Sequence, residues 1–201
     1  MSKDAGRMLS SLCVFAGSSH GRLAAYAEAA TGMGRLLASR GIALVFGGGH
    51  VGLMGKVADG CLAAGGTVTG VIPRSMVERE LAHRGLSELH VVSSMHERKA
   101  RMAELADGFI ALPGGVGTLE ETFEVWTWAQ LGHHAKPVGM LNVAGYYEPL
   151  ISFFERMVDH GFIRPEHKRM LHVADNAATL IAAMERHEPV ATPKWIERGE
   201  T

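Results

Sequence analysis

Short apolar runs recur along the chain, each closed by glycine or a polar turn and followed by a segment with helical periodicity. Leu9 to Ala16, Ile42 to Phe46, Thr67 to Ile72, His90 to Val92, Gly108 to Leu112 and Val138 to Asn142 read as strands, with a short one near His172-Val173. Helical patterns run from Leu23 to Ser39 (closed by Gly41), up to Ala64 before Gly65-Gly66, to about Ala106, from near Gly117 to Gly132, from Tyr147 to His160 and from Ala177 to Glu188. Ser94-Met95-His96-Glu97 has capping-box spacing and starts the helix that ends near Ala106. The strands are continuously apolar instead of alternating, and strands alternate with helices throughout. That combination predicts an α/β fold: a parallel sheet covered by helices on both faces. Pro73 opens a loop of about 15 residues, a length that is usually functional or an interface element. It carries Glu78, Glu80, His83 and Arg84.

Glycine loops follow three of the strands: Gly17-Ser18-Ser19-His20-Gly21, Gly47-Gly48-Gly49 through Gly55, and Gly114-Gly115-Val116-Gly117. All three should open on one sheet edge, beyond the carboxyl ends of the strands, where ligands bind in this architecture. In the third loop, glycines let backbone N–H groups approach a ligand, and the helix that begins there favours an anion. Thr118 adds a hydroxyl donor. On a helical wheel Leu119, Phe123 and Trp126 share the face expected to pack on the sheet, and Glu120 and Glu124 fall on a polar arc. Glu121 falls on a different side, near Thr118, Val125 and Trp128, where partial desolvation raises a carboxylate pKa. A carboxylate near a helix start also serves the helix dipole. Its place three residues after the loop threonine favours a functional role.

The glycines between Gly47 and Gly55 are not spaced G-x-G-x-x-G, and no acidic residue stands about 20 positions further on, so a backbone wall for a mononucleotide fits better than a dinucleotide fingerprint. Arg98, Lys99 and Arg101 lie near a helix N-terminus, where cations oppose the dipole. Arg98 shares a stripe with Met102 and Leu105, which favours pairing with an anion or with Glu121 over plain solvation.

Composition narrows the picture. The 201 residues fit a single domain, 1–201, with ends before about residue 8 and after 189 expected to be mobile tails. A net charge of -1 argues against nucleic acid. Cys13 and Cys61 lie in apolar segments outside any CxxC, as expected of reduced core residues in a cytoplasmic protein. No apolar run approaches the roughly 20 residues of a membrane span, and Gly17 cuts the first run short of a signal peptide. The 11 histidines offer no metal-ligand spacing, and no G-x-S-x-G is present, so neither a metal site nor a serine nucleophile is expected. Phe123, Trp126 and Trp128 read as core or subunit-contact residues.

Pro113 to Glu121 fits PGGxGTxxE, Gly47 to Gly55 fits GGGxxGLMG, and Met95 to Lys99 fits MHxRK. With Lys136-Pro137-Val138-Gly139 and Gly145-Tyr146-Tyr147, these make the chain from about Leu12 to about Glu155 resemble the LOG family, cytokinin riboside 5′-monophosphate phosphoribohydrolases. The resemblance implies a Rossmann-like homodimer without a cofactor. It would hydrolyse the N-glycosidic bond of AMP or N6-prenyl-AMP to free base and ribose 5-phosphate. It implies Arg98 and Glu121 as the catalytic pair, Gly115, Val116, Gly117 and Thr118 as the phosphate loop (with Gly114 before it a further binding candidate), and Lys99, Glu80 and Thr127 as substrate contacts. Gly17, Ser18, Gly48 and Gly49, on the other two loops, are the remaining candidates for the nucleotide. Val116 stands where the family often has tyrosine, His50 where it has a small residue, and Ala144 where it often has aspartate. Val116 bears on the base or prenyl preference and not on the reaction type. Rival readings are a broader nucleoside-monophosphate nucleosidase, a non-catalytic nucleotide or cofactor carrier, and a pyridoxal-dependent lysine decarboxylase, for which Lys99 is the only lysine near the expected site.

Overall fold

The computed structural model describes residues 8–77 and 82–190. The strands are β1 (Ser11–Phe15), β2 (Ala43–Phe46), β3 (Val68–Pro73), β4 (Glu88–Val92), β5 (Phe109–Ala111), β6 (Val138–Leu141) and β7 (Leu171–Ala174). They form a sheet in the order β4-β3-β2-β1-β5-β6-β7, and every neighbouring pair is parallel. The helices are α1 (Ala24–Ser39), α2 (Gly52–Ala63), α3 (Arg74–Val77), α4 (Met95–Leu105), α5 (Val116–Gln130), α6 (Glu148–Asp159), α7 (Pro165–Lys168) and α8 (Ala177–Glu185), with a 3₁₀ turn at Val143–Gly145.

Successive strand residues point to opposite faces, and both faces of the central strands are covered, while the edge strand β4 leaves Leu89 and Val91 exposed. Leu12, Val14, Leu44, Phe46 and Ile110 meet α1, α2 and α8 through Met33, Leu37, Val57, Leu180 and Met184. Cys13, Phe15, Val45, Phe109 and Ala111 meet α4, α5 and α6 through Met102, Val125, Trp126 and Phe154. Burial on both sides is why these strands lack a polar alternation, and the fold is the expected Rossmann-like α/β arrangement of three layers. From β1 the chain steps outward to β4, then returns to β5 on the other side of β1. The strand order therefore reverses between β1 and β5, and the loops leaving those two strands flank the crevice where ligands bind. No described helix is long and apolar enough to cross a membrane.

Three expectations change. First, α5 buries Thr118, Thr122, Val125, Trp126 and Ala129, while Leu119 and Phe123 are only half-buried. The Thr122 hydroxyl donates to the Thr118 carbonyl at 2.6 Å, so a polar residue sits against the sheet without an unpaired group. Phe123 turns instead toward Phe154 and Trp126, with ring centroids 6.0 and 6.3 Å away. Second, the capping residues before α4 are shared. Ser94 Oγ accepts from Glu97 N at 3.1 Å, but Glu97 reaches back to Ser93 N at 2.7 Å, one residue earlier than a strict capping box. Third, the loop after Pro73 contains α3 and is then tied down. His83 N donates to Gly48 O at 2.8 Å, and Ala82 bridges Gly49. Glu78 and Glu80, and most of the expected tails, lie outside the described residues.

Candidate active site

The loops after β1 and β5 meet directly. Gly17 N donates to Pro113 O at 3.1 Å. A Cβ on Gly114 would stand 2.1 Å from Thr118 Oγ1 and 2.9 Å from Gly17 N, so only glycine allows this approach. Between the loops lies a cleft of about 270 Å³, lined by Gly17, Ser18, His20, Tyr26, Gly114 and Tyr146 among others. Next to it α5 begins at Val116, with Gly115 as N-cap, no side-chain cap and no acidic residue in its first turn. Gly115, Val116 and Gly117 are exposed, so the unpaired N–H groups and positive end of α5 face this edge. The start of α2 is different: Gly17 O accepts from Leu53 N at 2.9 Å and from Met54 N at 3.4 Å. Its first turn is spent on packing, and α5 is left as the anion-seeking end.

On the other side of the 114–117 loop, α4 and α5 bring Arg98 and Glu121 together. Arg98 is 7% exposed. Its Nε donates to Val71 O and its Nη2 to Gly47 O, each at 3.1 Å, while Nη1 lies 3.9 Å from Met95 Sδ and 3.7 Å from Glu121 Oε1. One carbonyl within β3 and one just past the end of β2 thus hold the guanidinium fork, and Nη1 faces the carboxylate without closing a short hydrogen bond. Burial raises the Glu121 pKa, and the charge on Arg98 offsets that only in part. Cys13 lies in the sheet near this carboxylate; burial raises its thiol pKa well above the usual value, and the Glu121 charge adds to the rise. Because α5 starts at Val116, Glu121 stands beyond the first turn, where the dipole is spent. Helix stabilisation therefore does not explain it.

The other expected residues divide. Gly17, Ser18, Gly114 and Gly115 line the cleft, and Val116, Gly117 and Thr118 form the start of α5 next to it. Gly48 and Gly49 do not line the cleft, because their backbones hold residues 82 and 83. Lys99 Nζ is held by Glu120 Oε1 at 2.6 Å and Glu124 Oε1 at 3.0 Å. Burial pulls the Lys99 pKa down, and those two carboxylates more than offset it, leaving it raised. Thr127 is exposed on α5, about 14 Å along the axis from Thr118. The sequence reading missed Gly47, which seats Arg98, and assigned no role to Tyr146, whose hydroxyl donates to Gly114 O at 2.6 Å. The only signals for them were their places in GGGxxGLMG and in Gly145-Tyr146-Tyr147. Among the described residues no three His, Cys, Asp or Glu side chains come together as metal ligands.

A family model described as "possible lysine decarboxylase" matches residues 54–184. The chain is 52% identical over 178 residues to the cytokinin riboside 5′-monophosphate phosphoribohydrolase LOG7 of Arabidopsis thaliana, covering 89% of this chain and 82% of that one. It is 49% identical over 190 residues to LOG1 of the same plant, covering 92% and 89%, and 51% identical over 178 residues to LOG of Oryza sativa subsp. japonica, covering 89% and 74%. Among solved structures, the molybdenum cofactor carrier protein of Chlamydomonas reinhardtii superposes with a TM-score of 0.67 at 22% identity, over 89% of this chain and 98% of that one. At that identity the likeness is one of fold. With half its residues shared with these plant proteins over most of its length, and with the three motifs placed around one sheet edge, the chain belongs to the LOG family of cytokinin riboside 5′-monophosphate phosphoribohydrolases.

Proposed function

We propose that this protein hydrolyses the N-glycosidic bond of AMP or an N6-prenylated AMP, releasing the free base and ribose 5-phosphate. The observation that carries this reading is the buried Arg98–Glu121 pair one and a half turns from the free N-terminus of α5. The phosphoryl group binds at the 114–118 backbone and the Thr118 hydroxyl, and this remote grip orients the ribose. The C1′–N9 bond breaks with its electron pair going to the base, and positive charge develops on the ribose in an oxocarbenium-like transition state. Glu121 stabilises that charge and takes a proton from the water that adds to C1′, a task favoured by its raised pKa. A solvent water gives a proton to the leaving base, and the hydroxide left behind takes back the proton held by Glu121, so one water is consumed per bond broken. Arg98 orients Glu121 and the substrate, and is itself fixed by two carbonyls. Incubating the purified protein with AMP and with isopentenyl-AMP is expected to release free base and ribose 5-phosphate in equal amounts. Neither product from either nucleotide would refute the reading.

Lysine decarboxylation, the activity in the family model's description, has little support in the chain. A Schiff-base lysine needs a depressed pKa, whereas that of Lys99 is raised and its ammonium is bound by two carboxylates. A carrier without turnover has no use for a desolvated carboxylate beside Arg98.

The active form is a cytoplasmic homodimer. Around the Arg98–Glu121 pair, Met95 is 47% and Val116 84% exposed, and Thr127 lies exposed further along α5. A second copy packed on α4 and α5 covers these side chains, and only across such an interface does Thr127 reach a nucleotide. Light scattering at assay concentration is expected to give twice the chain mass. A monomer mass with full activity refutes the dimer.

A further inference from the structure

The loop that receives the phosphoryl group is built from four successive carbonyls, and each already has a donor. Leu112 O accepts from Tyr147 Oη at 2.6 Å, Pro113 O from Gly17 N at 3.1 Å, Gly114 O from Tyr146 Oη at 2.6 Å, and Gly115 O from Leu119 N at 3.2 Å. An anion site requires this, because a carbonyl oxygen turned into it repels the ligand. The carbonyl of one residue and the N–H of the next lie in one trans peptide plane and point in opposite directions. Whatever holds the Gly114 carbonyl therefore aims the Gly115 N–H. Between two glycines, turning that peptide over meets little steric resistance. Three of the four donors are backbone groups or buried; the fourth, on Tyr146, is a half-exposed side chain at the rim of the cleft.

The backbone leading to Tyr146 is built for this contact. Ala144 has φ 50° and Gly145 φ 71°, two left-handed residues in a row, the first strained for a residue with a Cβ. They turn the chain out of β6 so that Tyr146 and Tyr147 both reach the loop after β5. Tyr147 N donates to Asn142 Oδ1 at 2.7 Å and locks the turn. The Tyr146 ring is held edge-on by Tyr26 and Tyr147, at centroid distances of 5.5 and 4.9 Å.

We infer that Tyr146 is a positioning residue for phosphate recognition: its hydroxyl caps the Gly114 carbonyl and so directs the Gly115 N–H toward the phosphoryl group. This rests on the hydrolase reading for the identity of the ligand, and its test does not depend on turnover. Tyr146→Phe keeps the ring contacts and removes only the hydroxyl. Calorimetric titration with ribose 5-phosphate is expected to show binding weakened roughly 5- to 20-fold. Titration with adenosine, which has no phosphate, is expected to give the wild-type affinity. In assays the KM for AMP rises by the same factor while kcat stays within about twofold. Tyr147→Phe is the control: its hydroxyl caps a carbonyl followed by Pro113, which has no N–H to aim. That variant is expected to melt at a lower temperature and to keep the wild-type preference for ribose 5-phosphate over adenosine. Unchanged ribose 5-phosphate binding in Tyr146→Phe overturns the inference. Equal weakening for both ligands also overturns it, since Tyr146 would then touch the sugar or base itself. A wild-type protein that binds ribose 5-phosphate but releases no base from AMP refutes the hydrolase reading and leaves the Tyr146 test intact.

Discussion

Replacing Glu121 by glutamine is expected to lower kcat for AMP by roughly a thousandfold while KM changes by less than about threefold. The amide occupies the same volume beside Arg98, so the proposed phosphate grip on the start of α5 survives. In the proposed mechanism, what is lost is a negative charge facing the ribose and the ability to accept a proton from water. Measuring base release under saturating AMP isolates this effect, and a kcat within tenfold of wild type would remove Glu121 from the chemistry. The wild-type pH profile carries the same signature. Burial raises the Glu121 pKa, so activity falls on the acid side at a pH above the ordinary glutamate range. The sign for stability is the reverse. A carboxylate whose folded pKa lies above its unfolded value favours the fold below the unfolded pKa, and that contribution is lost as pH rises through the folded pKa. At neutral pH ionised Glu121 therefore weighs against the fold, and the glutamine variant is expected to melt no lower than wild type. A residue kept at a cost in stability is what an active site requires.

Gly47→Ala is expected to reduce kcat by about a hundredfold without changing the chemistry of any side chain in the proposed site. A Cβ at this position would lie 1.8 Å from Arg98 Nη2 and 2.9 Å from its Cζ. The far end of a side chain moves more readily than backbone, so the guanidinium leaves its seat on Gly47 O and Val71 O and draws away from Glu121. The protein stays folded, because the displaced atoms border the site and not the apolar core. Thermal melting within a few degrees of wild type, together with the lost activity, separates this outcome from global damage. Arg98→Lys is the companion variant. An ammonium has no planar fork to span two carbonyls and a carboxylate, so a similar loss is expected. Full activity in Gly47→Ala would mean that the position of Arg98 is immaterial.

These two positions mark how far the sequence alone could be read. Glu121 was legible because a 3.6-residue period separates it from Glu120 and Glu124, and its distance from the loop threonine is covalent. Gly47 was not, because its neighbour Arg98 lies 51 positions away, and nothing local distinguishes it from Gly48 and Gly49. The same limit misplaced Leu119 and Phe123. A wheel gives the relative angles of side chains on α5 but not which angle faces the sheet, and here Thr122 takes the centre while Phe123 turns to α6. For Lys99 the resemblance implied a substrate contact, and nothing local showed that the packing of α4 on α5 brings Glu120 and Glu124 onto it.

By itself the sequence determined what depends on near neighbours along the chain: the alternation of strands and helices, the doubly buried parallel sheet, the glycine turns at its carboxyl edge and the free start of α5. Hydrophobic period, helix pitch and glycine conformational freedom are local properties and survive being read from a string. Only the tertiary structure decided that Gly47 is the seat of Arg98, that Lys99 is already paired, that Gly48 and Gly49 hold a neighbouring loop, and that Tyr146 caps the Gly114 carbonyl. Each of those depends on a distance across the fold, set by how the helices pack on the sheet and not by the order of residues.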